Sequence, residues 1–386
     1  MPAAVALLGG AIFAVTTAEF SVSGLLDTLS RDLDASVAQI GYLVSIYAAG
    51  MALGGPLMVL ALRRFRQTTA LTIVLMLVAA AQLAAAFTPG YNLLAVSRFV
   101  QGFAGAAAFG LALSIGARLG GPGREGQAAA LIMGGLMIGT VLGLPLATWL
   151  GSLVGWRWVF AGLAGVAALA AGLVAALVHA PEADAGAPRP TRALADAGLW
   201  QVFATSFLLI GATFAAFTYF VPLLGQRAGI SARWIPACLV LYGAATVAGN
   251  FACGRWVDRH GAWRVQGIGL AVLSAALLLF AVAGAHPAVA LLSLVLIGLT
   301  GVALNPAMVA RVLAIDASPL VGAVHTAVIS LGLLTGAALG GFLIERTDQL
   351  GAALWVAAAM SVLGCLSLLR APDRLSALHA SRSARA

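Results

Sequence analysis

Stretches of about twenty residues with almost no charge recur along this chain from its first residues to its last, and no other feature restricts its fold so tightly. A helix crossing a bilayer needs ~20 mainly apolar residues at 1.5 Å rise per residue. Twelve segments meet that requirement, at approximately 4–26, 39–62, 69–88, 93–117, 127–151, 158–178, 199–221, 235–256, 265–285, 288–312, 322–344 and 352–369. The breaks between them carry turn chemistry, as in Pro89-Gly90-Tyr91-Asn92, Gly120-Gly121-Pro122-Gly123 and His286-Pro287. Composition agrees: 62% of the 386 residues are hydrophobic and 9% charged, where a soluble domain carries about a quarter charged residues. Lipid is therefore the expected solvent for most of the surface. The first segment lacks the basic flank of a cleaved signal peptide and is read as a retained span.

All 21 basic residues are arginine, which together with heavy Ala and Gly use points to a bacterial genome rich in G and C. Their positions set the topology. With a cytoplasmic N-terminus, the inner side holds Arg63, Arg64, Arg66, Arg118, Arg124, Arg189, Arg192, Arg255, Arg259, Arg264, Arg311, Arg370, Arg374, Arg382 and Arg385. The outer side holds Arg31, Arg157, Arg227, Arg233 and Arg346. Fifteen against five is the bias expected of inner loops, and it places both termini in the cytoplasm. The net charge of +8 is spread between apolar segments, with no basic run longer than a few residues, so nucleic acid is not an expected partner. Cys238, Cys253 and Cys365 are isolated and read as filler. Residues 179–198, rich in Pro, Ala and Gly, read as a cytoplasmic linker between an N-terminal bundle (1–178) and a C-terminal bundle (199–370), with 371–386 a basic tail.

The two bundles repeat one another. A shift of 195 residues lays Tyr47 and Gly54 over Tyr242 and Gly249, and Arg64 over Arg259. A shift of 193 lays Gly139 and Gly143 over Gly332 and Gly336. Agreement at nearly the same offset, joining equivalent helices, predicts six spans plus six spans in parallel, one of the repeat plans of secondary transporters.

Three motifs then become specific. Gly254-x-x-x-Asp258-Arg259-x-Gly261 resembles the loop between the second and third helices of a half in the major facilitator superfamily. Arg98-x-x-Gln101-Gly102 resembles its R-x-x-Q-G motif in the fourth span, and Gly139, Gly143 and Pro145 resemble its fifth-helix antiporter motif. By these motifs, in order, the chain is similar to the twelve-helix drug:proton antiporter branch. The resemblance implies an all-α membrane fold of two pseudo-symmetric six-helix bundles. The first-half loop departs from the pattern: Arg63 stands where the family usually has Asp, Arg66 where it has Gly, and Val59 where it has the first Gly.

Ionisable groups inside a span are costly, and Glu19 and Arg98 are two such groups. Glu19 lies ~10 Å below the outer end of span 1 and Arg98 ~8 Å below that of span 4, at similar depth. The resemblance implies that these two helices line a central cavity, so the pair is expected to meet across it. Burial raises a carboxyl pKa and a nearby guanidinium lowers it, a balance that suits loading and release of a proton. Proton coupling at Glu19 is the favoured reading; a structural ion pair, or Arg98 tying backbone carbonyls, is the alternative. Asp27, at the outer end of span 1, reads as a loop acid or a secondary proton site.

Asp258 and Arg259 are expected at the inner face, where a loop carboxylate can bond a helix N-terminus and latch the cytoplasmic side; plain topological charge is the alternative. Gly139, Gly143 and Pro145 read as a hinge between halves or as close packing. Phe20, Phe214, Phe217 and Asn305 are the candidate substrate-cavity residues, and His325 reads as a buried, hydrogen-bonded histidine. Walker, G-x-S-x-G, HExxH and metal-ligand motifs are not found, so no enzyme activity and no cofactor is expected beyond a proton as coupling ion. The favoured function is proton-coupled export of a drug-like compound or metabolite from the bacterial inner membrane by a monomer. A nutrient importer of the same fold and a membrane receptor or scaffold remain as alternatives.

Overall fold

The computed structural model describes residues 3–62, 64–120, 125–179, 192–316 and 319–369. Arg63, most of the predicted linker and the 371–386 tail lie outside the described residues. The chain divides into two compact units. The first comprises Met1–Gly186 with Thr218–Pro222 and Ser231–Val240; the second comprises Ala187–Phe217, Leu223–Ile230 and Leu241–Ala386.

Every long element among the described residues is helical, as the need to bond each backbone group within its own segment dictates in lipid. The first unit contains α1 (Ala3–Gly24), α2 (Leu26–Asp32), α3 (Val37–Ala61), α4 (Gln67–Ala86), α5 (Tyr91–Gly120), α6 (Glu125–Val154), α7 (Trp156–Leu177) and the single turn α9 (Phe220–Pro222). Ser36 starts α3 with a reciprocal cap: its hydroxyl accepts from Gln39 N at 3.1 Å and its N–H donates to Gln39 Oε1 at 2.8 Å. Gly155 starts α7 from φ 84°, a left-handed backbone that side chains other than glycine's rarely adopt.

Glycine sets the helix spacing in this unit. A Cβ on Gly135 would fall 2.7 Å from the Gly9 carbonyl carbon, and one on Gly139 would fall 3.1 Å from Phe13 O, so α6 lies directly against the α1 backbone. In the same way α5 closes on α3: a Cβ on Gly102 would fall 2.8 Å from the Tyr47 carbonyl carbon, and one on Gly50 would strike Phe99. Val5, Leu8, Ile12, Leu71, Val74 and Ile115 belong to the apolar core that fills the remaining space.

The second unit contains α8 (Ala197–Phe217), most of α10 (Ile235–His260), α11 (Ala262–Ala283), α12 (Pro287–Thr300), α13 (Asn305–Leu313), α14 (Pro319–Thr347) and α15 (Ala352–Leu369). Its glycine contacts echo those of the first. Gly336 lies on the Gly211 carbonyl and Gly332 on Phe207, joining α14 to α8 as Gly139 and Gly143 join α6 to α1. A Cβ on Gly298 would fall 2.8 Å from Tyr242 O, matching Gly102 on Tyr47. The repeat read from the sequence therefore has a physical content: equivalent glycines make equivalent backbone contacts inside each unit.

Eleven helical runs among the described residues are long and apolar enough to cross a membrane, and the twelfth predicted segment is the apolar helix α15, of 18 residues. Two expectations change. The seventh span stops at Phe217 and gives way to a π-helical turn over Leu223–Arg227, because Pro222 has no N–H to continue the helix. The tenth is split: α12 ends at Thr300, a 3-10 turn covers Val302–Leu304, and α13 begins at Asn305. Pro306 cannot donate to the carbonyl four residues back, and Gly301 adopts ψ −112°, outside the helical region.

Candidate functional site

Arg98 occupies the second turn of α5, fully buried. Its guanidinium is held by the main chain of α1: Nη1 donates to Ala18 O at 3.0 Å and Nη2 to Glu19 O at 2.8 Å. Nη1 also donates to Gln101 Oε1 at 2.7 Å, one turn along α5. On its remaining face the guanidinium carbon lies 4.4 Å from the centroid of the Tyr47 ring. Gly102 makes this stacking possible, since it lets α5 approach α3 at the Tyr47 backbone. Such charge-assisted bonds contribute ~1.5–3 kcal/mol each.

Glu19 and Arg98 are thus brought together as expected, but through a different atom. Glu19 gives Arg98 its backbone oxygen, while its half-buried side chain has no hydrogen bond or ion pair among the described residues. Among the described residues Arg98 Nε and Gln101 Nε2 are also buried without a partner, as is the hydroxyl of Ser23, one turn beyond Glu19 on α1. A fixed cation, an uncommitted carboxylate and spare donors in a low-dielectric setting form an arrangement able to take up or exchange a proton or a polar solute group.

The other predicted residues fall in separate places. Asp27 sits in the first turn of α2, beyond the end of α1 at Gly24, where burial pushes its carboxyl above the usual range against the opposing pull of Arg31. Gly139 and Gly143 pack on Thr16 and Thr17 of α1, and Pro145 is buried inside α6, which runs unbroken past it. Phe20 is buried beside Gly143. In the second unit, Phe214 and Phe217 meet edge to face with ring centroids 5.3 Å apart, and Phe217 meets Tyr242 at 5.5 Å, all three buried. Asn305 is half-buried at the start of α13. Asp258 and Arg259 are exposed near the end of α10, Gly254 is half-buried on it, and Gly261 turns the chain into α11 with φ 83°. His325 bonds Ser206 at 3.0 Å and stacks on Phe203 at 5.6 Å, as a buried histidine should.

Sequence reasoning left one contributor, Tyr47, unnamed. Tyr47 was marked by its repeat partner Tyr242, which is the signal that could have singled it out.

Comparison with known proteins follows this geometry. The family model described as Major Facilitator Superfamily matches residues 8–314 and 237–385. The chain is 32% identical over 339 residues to the inner membrane transport protein YdhP of Escherichia coli strain K12, covering 86% of each chain. It is 31% identical over 375 residues to the chloramphenicol resistance protein of Streptomyces lividans, covering 95% of each. Among solved structures it resembles a variant of the nucleoside transporter NupG (TM-score 0.76, 16% identity, 95% of this chain and 98% of that one). It also resembles a D-xylose–proton symporter (TM-score 0.73, 20% identity, 94% and 95%).

Proposed function

The chain belongs to the major facilitator superfamily of membrane transporters, and we propose that it exports a drug-like compound or small metabolite in exchange for protons, by alternating access. The observation that carries this reading is the division of labour at Glu19. Its main chain fixes Arg98, and its carboxylate stays uncommitted beside that charge. A carboxylate locked in a bidentate ion pair would be hard to protonate; a free one near a fixed cation can gain and lose a proton as its exposure to water changes. Solute entering beside Glu19 then displaces the proton, and the spare donors of Arg98 and Gln101 receive the solute's acceptors. The Streptomyces lividans relative, named for chloramphenicol resistance, supports export and a neutral polar drug as first probe. A bacterial inner membrane, with both termini inside, fits the arginine distribution.

The test uses purified protein in proteoliposomes with an imposed pH gradient and labelled chloramphenicol. Wild type is expected to move the drug against the proton gradient. Glu19→Gln should keep drug binding and lose proton-driven movement. Full coupled transport by Glu19→Gln would sink the proposed role, and drug movement in the same direction as protons would replace export by import.

A further inference from the structure

A cavity of about 300 Å³ lies on the first unit between α1, α6 and α7. Phe13 and Thr17 of α1, Ala147 and Leu150 of α6, and Trp158 and Gly162 of α7 are among its walls. Its rim faces outward: Trp158 is 72% exposed, and Leu150, Val154 and Val166 are exposed beside it. In a chain of this class that rim meets lipid.

The walls are apolar but for Thr17 inside and the indole N–H of Trp158, whose side chain stands at the exposed rim. Thr17 is 6% exposed, lines the cavity, and its hydroxyl has no hydrogen-bond partner among the described residues. A trapped water needs ~2–4 polar partners, and Thr17 is the one polar side chain of the lining apart from the largely exposed Trp158. An acyl chain does not account for the Thr17 hydroxyl either. Thr17 lies seven residues below the end of α1 at Gly24, ~10 Å down the helix, where a lipid tail has no polar atom. The cavity volume matches the lower range of small-molecule pockets, roughly 300–1,000 Å³.

The geometry points to a bilayer-accessible binding site for a small lipophilic solute carrying one hydrogen-bonding group, such as an aliphatic or aromatic alcohol, with that group on Thr17 and the apolar body between α6 and α7. This site goes beyond the transport reading and is separate from Glu19. Two residues along a helix turn the side chain by ~200°, so Thr17 and Glu19 look out from opposite faces of α1. Gly162 adds an opening on α7, where a Cβ would meet nothing within 4 Å.

Photolabelling tests the site, with the full chain in lipid nanodiscs, octanol bearing a diazirine, and the matching diazirine-bearing octane as control. Saturable labelling by the alcohol is expected on residues 13–17, 146–154 and 158–166. Thr17→Val should raise the half-saturating concentration about fivefold, the loss of one hydrogen bond. Gly162→Leu should abolish labelling there and leave labelling elsewhere intact, and Glu19→Gln should change nothing. Equal labelling by octanol and octane, labelling of these helices that never saturates, or indifference to Thr17→Val would each overturn the assignment. If Gly162→Leu does not fold, Thr17→Val alone decides.

Discussion

Replacing Gly102 by alanine puts one methyl group where α5 touches α3. Its Cβ would fall 2.8 Å from the Tyr47 carbonyl carbon and 3.2 Å from Met51 N. Carbon atoms rest at ~3.5–4.0 Å, so the two helices must part by at least about 0.7 Å. A gap of that size forfeits roughly a quarter to a half of each neighbouring dispersion contact. Those contacts include Gly50 on Phe99 and Gly54 on Phe103, the same seam. Overpacking of this kind costs ~1–3 kcal/mol, against which alanine gains ~1 kcal/mol in helix propensity. The net of these two terms is a loss of about 0–2 kcal/mol, and the weakened Arg98–Tyr47 stacking adds ~0.5–2 kcal/mol to it. Arg98, one turn away, also loses its seat on Tyr47, so transport should fall with stability. Gly110 supplies the control on the same helix, since nothing lies within 4 Å of its added Cβ. There the propensity gain stands alone, and Gly110→Ala should be up to ~1 kcal/mol more stable than wild type. Thermal unfolding of both variants in one detergent, read by intrinsic fluorescence, compares them directly. A Gly102→Ala protein that melts with wild type, or a Gly110→Ala protein that falls as far, refutes the reasoning.

Asp27 titrates above the ordinary carboxyl value of 3.8 because it is partly buried. The folded chain therefore holds that proton more tightly than the unfolded one. The resulting stability is complete below pH 3.8 and is lost as pH rises through the raised value. Asp27→Asn removes that loss, so the variant should melt above wild type at pH 7 and coincide with it in acid. In the second unit, Arg227 donates to Ala281 O and lies over Gly351, leaving no room for a side chain there. Gly351→Ala and Arg227→Ala should each cost ~1 kcal/mol, one net hydrogen bond. The double variant should be no worse than either, and simple additivity in denaturation would show that the two residues act apart.

Apolar runs made most helices legible, because segment length and lack of charge are visible in the sequence. Depth arithmetic paired Glu19 with Arg98 for the same reason: rise per residue is fixed. The atom that joins them was not legible. Whether a guanidinium chooses a carboxylate or a main-chain oxygen depends on ångström-scale helix spacing, which the contact of Gly102 with Tyr47 sets. α2 was read as loop, since seven residues ending in charge are too few for a span pattern. The break of the tenth span had its signal in Gly301 and Asn305-Pro306, but an apolar window averages over such residues. The paired glycines were the opposite case. A weak match at one offset became informative because glycine's only advantage there is lack of bulk, and both units use it in the same contact.

The hold of α1 on Arg98 has a consequence for how this protein can change. Both oxygens that receive the guanidinium from α1 belong to the peptide chain, and every amino acid supplies that same oxygen. A partnership between two side chains can be inherited as a swap, with a loss on one helix repaired by a reciprocal change on the other. Here Ala18 and Glu19 have nothing to exchange. Revertants of an Arg98 loss should arise on α5 or α3, around Gln101 and Tyr47, while position 18 drifts with the size of its side chain alone.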